Sequence, residues 1–497
     1  MSTITPGDGA VLRVSDAGTP GLIDAAGDAD VPAVTVGRSG VPAVEPLVSV
    51  TREGRTTFHA GPGVDALRGI AATAADGDLP TGVADAVVDH EPGVASLPSE
   101  NLEMAGLGAG QRRVLGGCGW RAPADPDDHA AAGGFVDADP AAVRRAGADL
   151  RGRGWGDWSH DETLSGTWET ATEAAGETAV VANAHGTPAD ALLLESVPFE
   201  VLEGAAAVAR VVDADRAIVY VSEADGAAVE RARAAIDACP DPPVELSVVA
   251  GPPEYRAAEP TMAIEAIEGN HRLEARLRPP GPETVGLHGR PTVVHTARTL
   301  AQLALALRDG TDTQRATRLV TVTGDVADPV TVELPPGERI GRAVDATAVE
   351  DGFKAACVGG RFGGLTGSLD VAADPDALAE AGLGTEGVVE VLAEDRCVVE
   401  FVGKRAQFAA AENCGRCVPC REGTTQLADL LRELYDGRYR GDAIAELDRV
   451  MRRTSICTFG VDAGRPVRTA MDAFDAEFEA HAEGRCPAGV CTTEVTA

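Results

Sequence analysis

The pattern of apolar residues over the first hundred positions predicts short strands. Apolar runs at residues 31–37 and 46–50 are separated by a loop that contains glycine and proline. Residues 125–139 are acidic and rich in alanine and glycine, which predicts a loop or linker. We therefore expect one small domain over residues 1–100.

From residue 110 to residue 305, strand-like and helix-like patterns alternate. The predicted buried strands are residues 179–183, 217–221 and 244–249, and the predicted helices are residues 229–238 and 263–268. Alternation of this kind is typical of an α/β domain with a partly parallel sheet.

The pattern changes twice more along the chain. Strand-like runs at 318–323, 330–334 and 387–392 predict a small β-rich domain over residues 315–398. Over residues 403–484, apolar residues recur at helical spacing in three groups, which begin at Leu427, Ile444 and Val467. We expect three amphipathic helices there, followed by a tail at residues 485–497.

Composition sets further bounds. The 497 residues carry 78 acidic and 43 basic side chains, a formal charge of −35, and lysine occurs only as Lys354 and Lys404. Self-repulsion of this size destabilises a compact fold unless salt screens it, so the surface is suited to the cytoplasm of a halophile. No basic patch supports nucleic-acid binding. Neither a signal sequence nor a stretch of 18 apolar residues is present, so we expect a cytoplasmic protein without direct membrane insertion.

Four cysteines carry the most specific chemistry in the sequence. Cys414, Cys417 and Cys420 follow a C-x2-C-x2-C spacing, and Cys457 lies 37 residues further on. A triplet plus one remote thiolate is typical of a 4Fe–4S cluster, whereas zinc ligands usually come as two separated pairs. Disulfides within the triplet are disfavoured because the three residues are too close together. We predict an iron–sulfur centre and keep zinc as the alternative.

The segment from Glu412 to Thr424, with Ser455–Cys457, closely resembles the cluster-binding region of the NADH-binding flavoprotein subunit of respiratory complex I. The same module occurs in diaphorase subunits of NAD-linked hydrogenases and formate dehydrogenases. The resemblance covers most of the chain, including a glycine-rich loop at 151–154 and a helix that follows Tyr255. It implies a multidomain α/β fold with a thioredoxin-like remnant (1–100), a Rossmann-like FMN/NADH-type domain (110–305), a β-grasp domain of the SLBB type (315–398) and a helical cluster-binding domain (403–484).

The departures from that family concern its cofactor sites. Arg38 and Pro42 stand where cysteine ligands of a two-iron cluster are expected, so the first domain should lack a cluster. In the glycine-rich loop, Trp155 and Trp158 replace glycine and phenylalanine, and Asp157 would repel a phosphate. The carboxylate-rich element of the family is also altered, and its paired glutamates and paired asparagines become Glu259–Pro260 and His295–Thr296.

Two main functions follow from the resemblance. In the first, FMN binds, NADH passes a hydride to it, and electrons leave through the 4Fe–4S cluster to other redox subunits. The surviving flavin and NADH contacts would be Gly152, Arg153, Gly154, Asn183 and Glu259. In the second, Trp155, Trp158 and Trp168 fill the pocket, and the chain is a flavin-free electron-transfer or scaffold subunit. A third possibility is a different flavin or nucleotide. No catalytic side chain is predicted.

Smaller signals remain in the sequence. His481, Cys486 and Cys491 are three possible metal ligands that need a fourth. Backbone amides around Gly415 and Gly423 could donate hydrogen bonds to cluster sulfurs. Most of the nine histidines lie in polar loops and are expected to be exposed. The isolated cysteines are expected to be small buried hydrophobes, namely Cys118, Cys239, Cys357 and Cys397.

Overall fold

The computed structural model describes residues 9–491, apart from residues 17, 19, 29, 311, 312, 314 and 315. These residues form a mixed α/β protein with three β-sheets and a helical region near the carboxyl end. Residues 1–8 of the first predicted domain and 492–497 of the predicted tail lie outside the described residues. Within the described ranges, no helix combines the length and apolar character needed to cross a bilayer.

The first sheet has five strands in the order β2-β1-β3-β4-β5. These are β1 (Val11–Ser15), β2 (Ala33–Val36), β3 (Leu47–Arg52), β4 (Arg55–Ala60) and β5 (Ala86–Asp89). β1 is parallel to β2 and antiparallel to β3. Helices α1 (Pro20–Gly27) and α2 (Val64–Ala75) pack their apolar residues against β1 and β3. Both strands predicted in this region are present.

Three helices follow the first sheet and precede the second along the chain. They are α3 (Pro126–Ala131), α4 (Pro140–Asp149) and α5 (Leu164–Glu173). The predicted loop at 125–139 contains α3 because the Asp125 carboxylate accepts hydrogen bonds from the amides of Asp127 and Asp128, and Pro126 occupies the first turn.

The second sheet has four strands in the order β8-β7-β6-β9, and every pair is parallel. Its strands are β6 (Thr178–Asn183), β7 (Ala214–Ser222), β8 (Glu245–Gly251) and β9 (Thr292–Thr296). Its helices are α6 (Pro188–Ser196), α7 (Pro198–Val211), α8 (Gly226–Ala238), α9 (Pro260–Ile267) and α10 (Ala297–Arg308). The sheet is therefore fully parallel rather than partly parallel, and β6 and β9 end at the same edge, at Asn183 and Thr296.

The third sheet has the order β11-β10-β14-β12-β13. Its strands are β10 (Arg318–Gly324), β11 (Val330–Leu334), β12 (Phe353–Val358), β13 (Gly364–Thr366) and β14 (Val388–Ala393), with the short helices α11 (Gly341–Val344) and α12 (Pro375–Glu380). Only β10 and β14 pair in parallel, and the other pairs of this sheet are antiparallel. The three strands predicted from the sequence are all present.

The remaining described residues are mostly helical. The helices are α13 (Val398–Glu412), α14 (Val418–Tyr435), α15 (Gly441–Thr454), α16 (Thr458–Asp462), α17 (Arg465–Ala473) and α18 (Asp475–Ala482). The apolar group that begins at Val467 was predicted to form one helix, but it is divided between α17 and α18, because Phe474 leaves the helical conformation (φ −132°, ψ 33°). An apolar cluster that includes Met262, Leu273 and Phe459 joins this region to the α/β part of the chain.

Candidate metal centres and flavin site

The four cysteines of the motif converge from two directions. Cys414 follows α13, Cys417 is the N-cap of α14, and Cys420 lies in the first turn of α14. Cys457 arrives as the N-cap of α16. All four line one small cavity, whose other lining residues are Met262, Ala275, Arg416, Ile456 and Phe459. The structure thus brings together the four ligands predicted from spacing.

Asn413 fixes the shape of the cysteine loop. Its side-chain oxygen accepts a hydrogen bond from the amide of Gly415 at 3.0 Å, and its amide nitrogen donates to the carbonyl of Ala410 at 2.8 Å. Gly415 has a φ of +77°, a left-handed conformation that favours glycine. The tight turn allows Cys414 and Cys417 to face the same cavity.

The spread of the four sulfur atoms bears on which of the two metals suits the site. Four thiolates around a single zinc ion lie about 3.8 Å apart, because each Zn–S bond is about 2.3 Å. Among the described residues, the groups whose ligand atoms all lie within 4.8 Å of one another do not include these four cysteines. The arrangement favours a larger multi-iron group at the centre of the cavity.

The electrostatic environment of the thiols follows from burial. Cys420 and Cys457 are each 4% exposed, while Cys414 and Cys417 are half-buried. Burial, together with the neighbouring thiols, raises the pKa of Cys420, and burial raises the pKa of Cys457 to about 12. The thiols of Cys420 and Cys457 are therefore neutral, and metal binding must displace their protons. Four convergent sulfurs in an apolar cavity are a donor set that fits a 4Fe–4S cluster.

The nearby arginines and glycines have mostly structural roles. The Arg421 guanidinium donates to the Gly415 carbonyl at 3.1 Å, and Arg416 lies 3.8 Å from Glu274. The amide of Gly415 itself donates to the Asn413 side chain, so the expected hydrogen bonds to cluster sulfurs would have to come from neighbouring amides of the loop. Gly423 lies inside α14, where an added Cβ would come within 2.5 Å of Met451. Its lack of a side chain allows α14 and α15 to pack closely.

The glycine-rich loop lies at the carboxyl edge of the parallel sheet, and several backbone N–H groups in and just after it donate to protein acceptors. The amide of Arg153 donates to Thr299 Oγ1 at 2.9 Å, and that of Trp155 to the Glu386 carboxylate at 2.6 Å. The amide of Trp158 donates to the carbonyl of Val294 at 3.0 Å. Gly152 and Gly154 face protein atoms as well, since a Cβ at either position would come within 2.5 Å of a neighbour.

Trp155 is the residue that fills the space in front of this loop. Its indole is 5% exposed and stacks on the Tyr255 ring, with ring centroids 4.5 Å apart and an interplanar angle of 17°. Tyr255 also contacts Phe362, Phe408 and Phe459. Burial raises the pKa of the Tyr255 phenol well above its ordinary value, so the ring stays neutral.

Asp157 is held in its charged form by His295. The Asp157 carboxylate lies 2.9 Å from His295 Nδ1 and accepts a hydrogen bond from the amide of Thr296 at 3.0 Å. Burial acts to raise the pKa of Asp157, but His295 and these hydrogen bonds together keep it below its ordinary value. Trp168 Nε1 donates to His295 Nε2 at 2.8 Å, which completes a buried Asp157–His295–Trp168 chain.

Asn183 and Glu259 were both predicted to contact a cofactor, but their side chains bind other groups of the protein. The Asn183 amide nitrogen donates to the carbonyls of Gly156 and Ala258, each at 2.9 Å. It therefore ties the glycine-rich loop to the segment after Tyr255. Glu259 is fully buried, caps α9 through the amides of Thr261 and Met262, and pairs with Arg278.

The five predicted flavin contacts lie together, but the residues present do not fit a flavin mononucleotide. The isoalloxazine needs a flat space against bare backbone, whereas here the large Trp155 indole follows the glycines directly and stacks on Tyr255. The phosphate needs free amide donors, and those of Arg153, Trp155 and Trp158 already have acceptors. The other two tryptophans lie elsewhere. The Trp158 ring is covered by the Arg278 guanidinium, and Trp168 packs against Gly147.

A second group of metal-type ligands lies at the far end of the helical region. The ligand atoms of Cys397, His481, Cys486 and Cys491 all lie within 4.8 Å of one another. Cys397 Sγ is 3.3 Å from His481 Nε2 and 3.4 Å from Cys491 Sγ. His481 Nδ1 lies 2.6 Å from the carbonyl of Glu477, which leaves Nε2 as the ligand atom. Cys397 is the fourth ligand that the tail motif lacked in sequence.

This group corrects one expectation about the isolated cysteines. Cys118 and Cys357 are buried as predicted, whereas Cys239 is only half-buried. Cys397 is buried, but it belongs to the ligand group instead of acting only as a small hydrophobe. No local pattern reveals this role, because Cys397 lies 84 positions before His481.

The expectation that most histidines are exposed is wrong. Five of the nine are buried and hydrogen-bonded, namely His59, His129, His185, His295 and His481. Sequence alone does not locate their partners, because most of these lie far away along the chain.

In the first sheet, the region of Arg38 and Pro42 is organised by Glu45. The Glu45 carboxylate accepts hydrogen bonds from the amide and hydroxyl of Ser39, each at 2.6 Å, and from the Ser15 hydroxyl. Arg38 points away from this carboxylate and reaches Glu195 at 3.7 Å.

Comparison with known proteins gives two matching family models. Residues 147–305 match the Nuo51 FMN-binding domain, and residues 400–481 match the iron–sulfur binding region of NADH-ubiquinone oxidoreductase-F. The glycine-rich loop lies within the first range and the four-cysteine motif within the second.

Relatives match over most of their lengths. The NADP-reducing hydrogenase subunit HndC of Solidesulfovibrio fructosivorans is 30% identical over 341 residues, which cover 62% of this chain and 69% of that protein. The F subunit of the NADH-quinone oxidoreductase of Aquifex aeolicus is 30% identical over 364 residues, which cover 65% of this chain and 84% of that protein.

A solved structure shares the fold. A chain of the NAD⁺-reducing [NiFe]-hydrogenase in the air-oxidized state is 26% identical and superposes with a TM-score of 0.63, covering 96% of this chain and 86% of that chain. The chain described here therefore belongs to the family of the NADH-quinone oxidoreductase F subunits, with that family's FMN-binding domain and 4Fe–4S-binding region.

Proposed function

We propose that this chain is the F-type subunit of an NADH-oxidising assembly and passes electrons through one 4Fe–4S cluster to a partner subunit. The convergence of four cysteines on one cavity is the observation that carries this proposal. Further support comes from the relatives, which are named as oxidoreductase and hydrogenase subunits.

Several residues that line the cavity or lie beside it have a role in this function. Cys414, Cys417, Cys420 and Cys457 would hold the cluster, which supplies one-electron transfer when bound. Asn413 holds the loop in shape. Met262 and Phe459 exclude water from the inner side, and a dry surrounding influences the reduction potential.

The outer side of the cavity suits a partner that carries its own redox group. Cys414 and Cys417 are half-buried, and the neighbouring Val418 is 59% exposed. A redox subunit that binds on this exposed face would bring its own redox group close to the cluster. The formal charge of −35 argues against nucleic acid as a partner.

Metal content and spectroscopy test this proposal. After anaerobic reconstitution, the full chain should contain about four irons and give an EPR signal after dithionite reduction. Cys417→Ser should lose most of the iron, whereas Cys239→Ser, at an isolated half-buried cysteine, should keep it. Zinc in the four-cysteine site, without an EPR signal, would contradict the proposal.

We also propose four domains with the boundaries expected from the resemblance. The first sheet supports a thioredoxin-like remnant over 1–100, and the parallel sheet supports a Rossmann-like domain over 110–305. The mixed third sheet supports a β-grasp domain of the SLBB type over 315–398. The helical domain (403–484) and the tail (485–497) follow. The ten unpaired cysteines support a cytoplasmic location.

For the second ligand group we propose a structural zinc ion. Three thiolates and one imidazole are a common zinc set, and tetrahedral zinc places two sulfur ligands about 3.8 Å apart and a sulfur and a nitrogen about 3.6 Å apart. The distances of 3.3 and 3.4 Å from Cys397 Sγ are slightly shorter than these values, so the atoms would have to move apart only a little to hold the ion. The ion would join the start of α13 to the segment after α18.

A further inference from the structure

The Trp155–Asp157 segment determines whether a flavin can enter this chain. A flavin mononucleotide brings a wide aromatic ring and a phosphate with negative charge, and each needs its own space and partners. Flavin binding decides how electrons reach the cluster of the proposed function, and the inference rests on that function.

The ring position is closed by an aromatic pair. Trp155 stacks on Tyr255 at 4.5 Å, and Tyr255 is enclosed on its other sides by Phe362, Phe408 and Phe459. A stacked pair of this kind is stabilising beyond its buried area. A flavin ring would have to displace the indole from a site where it is only 5% exposed.

The phosphate position is closed by charge and by hydrogen bonding. The carboxylates of Asp157 and Glu386 both lie in the loop region, and both accept hydrogen bonds from loop amides or adjacent groups. Arg298, a nearby cation, is paired with Asp190 at 3.0 Å and also donates to the Glu386 carbonyl. A phosphate would therefore meet the charged Asp157 carboxylate, and the amide of Trp155 would not be available to it.

Asn183 holds the closed arrangement together. Its two donated hydrogen bonds, to Gly156 and Ala258, connect the glycine-rich loop directly to the segment that carries Tyr255. Opening a cleft between these segments would leave both buried carbonyls without these donors, which costs about 1–3 kcal/mol for each group.

We propose that Trp155 and Asp157 close the flavin site, so that this chain binds no flavin and accepts no hydride. NADH gives up two electrons and one proton together as a hydride, whereas one 4Fe–4S cluster exchanges single electrons. A flavin on another subunit must therefore accept the hydride and release its electrons one at a time. The direct donors and acceptors of this chain are one-electron carriers, of which iron–sulfur proteins are the expected class.

Cofactor stoichiometry tests the inference directly. The full chain is reconstituted anaerobically with iron and sulfide, incubated with excess FMN, desalted and denatured, and the released flavin is measured by fluorescence. We expect less than about 0.05 flavin per chain beside about four irons. Dithionite should bleach the cluster absorbance, and NADH should leave it unchanged.

A double variant tests the two residues named. Trp155→Gly with Asp157→Gly removes both the indole and the charge and should raise FMN retention at least tenfold. Trp158→Phe, next to the same loop, should stay flavin-free. A folded double variant that binds no FMN would overturn the role given to these residues.

The two proposals fail in different ways. About one FMN per wild-type chain, or bleaching of the cluster by NADH, would overturn this inference and leave the cluster assignment intact. A chain without iron would overturn the proposed function instead. If the double variant does not fold, the wild-type flavin content alone decides.

Discussion

Glu200 is a buried carboxylate that two arginines keep charged. It is 1% exposed and lies 2.8 Å from both Arg121 and Arg308. Burial acts to raise the pKa of Glu200, but these arginines outweigh it and lower the pKa to about 2. Since the folded-state pKa lies below the ordinary value of 4.5, the pair stabilises the fold above about pH 4.5, and that stability is lost as the pH falls toward 2.

The stability lost when Glu200 is replaced should depend on pH over the same range. Glu200→Gln leaves Arg121 without its charged partner and Arg308 with Glu203 alone, and it should lower the free energy of unfolding by about 3 kcal/mol at pH 7. The difference from wild type should shrink between about pH 4.5 and pH 2, as wild-type Glu200 itself gains a proton. Denaturant unfolding across this pH range measures both effects.

A matched control uses an exposed ion pair. Glu400 pairs with Lys404 one helical turn away, with the two side chains 37% and 67% exposed, so Glu400→Gln should change stability little. If Glu200→Gln and Glu400→Gln behaved alike at pH 7, the buried pair would have no special role in stability.

At the scale of single residues, the sequence predicted those that a local spacing marks, but it did not predict those whose role depends on a contact far along the chain. The four cluster cysteines were identified because a C-x2-C-x2-C triplet has few other physical explanations. Glu386 was missed, although its carboxylate binds the Trp155 amide from 231 positions away. No local pattern marks Glu386 as a partner of the glycine-rich loop. The flavin-free alternative placed Trp155 in the flavin pocket, and the structure shows that its ring stacks on Tyr255.

At the scale of elements, the second ligand group connects the two ends of the helical region. Cys397 caps the start of α13, His481 lies in α18, and Cys486 and Cys491 lie beyond α18. A metal ion held by all four would fix the last described segment, which otherwise follows α18 without further regular structure. The fold therefore gives the proposed zinc ion a structural role.

Zinc content and proteolysis test that role. The wild-type chain should hold about one zinc in addition to the iron of the cluster. Cys486→Ser should lose the zinc, keep the iron, and become at least several-fold more sensitive to trypsin at Arg485. Cys239→Ser should match wild type in all three measurements. A wild-type chain without zinc, or a Cys486→Ser chain that retains it, would exclude the assignment.

Secondary structure was predictable wherever a periodic pattern was uninterrupted. The strands β6, β7 and β10 follow from their apolar runs, and α14 follows from its leucines. The break between α17 and α18 was not predicted, because the apolar spacing continues across Phe474 while the backbone does not. The side-by-side order of the strands also had to come from the structure, since the sequence contains only their order along the chain.

For the whole molecule, the formal charge of −35 predicts how stability depends on salt. Salt screens buried ion pairs such as Arg298–Asp190 only weakly. Exposed ion pairs contribute little to stability at low or at high salt. The main effect of salt is then to reduce repulsion among carboxylates.

Raising KCl from about 0.1 M to about 2 M should raise the thermal unfolding midpoint of the wild-type chain by roughly 5–10 °C, measured by calorimetry. A charge-reduced variant separates repulsion from other effects of salt. Asp24, Glu230 and Glu380 are exposed, and their replacement by Asn, Gln and Gln removes three negative charges. This variant should have a higher unfolding midpoint than wild type at low salt, should respond less to KCl, and should match wild type at high salt. A wild-type midpoint that falls as salt is added would mean that attraction between opposite charges outweighs repulsion among the carboxylates. In that case, screening by salt would not be what stabilises this acidic protein.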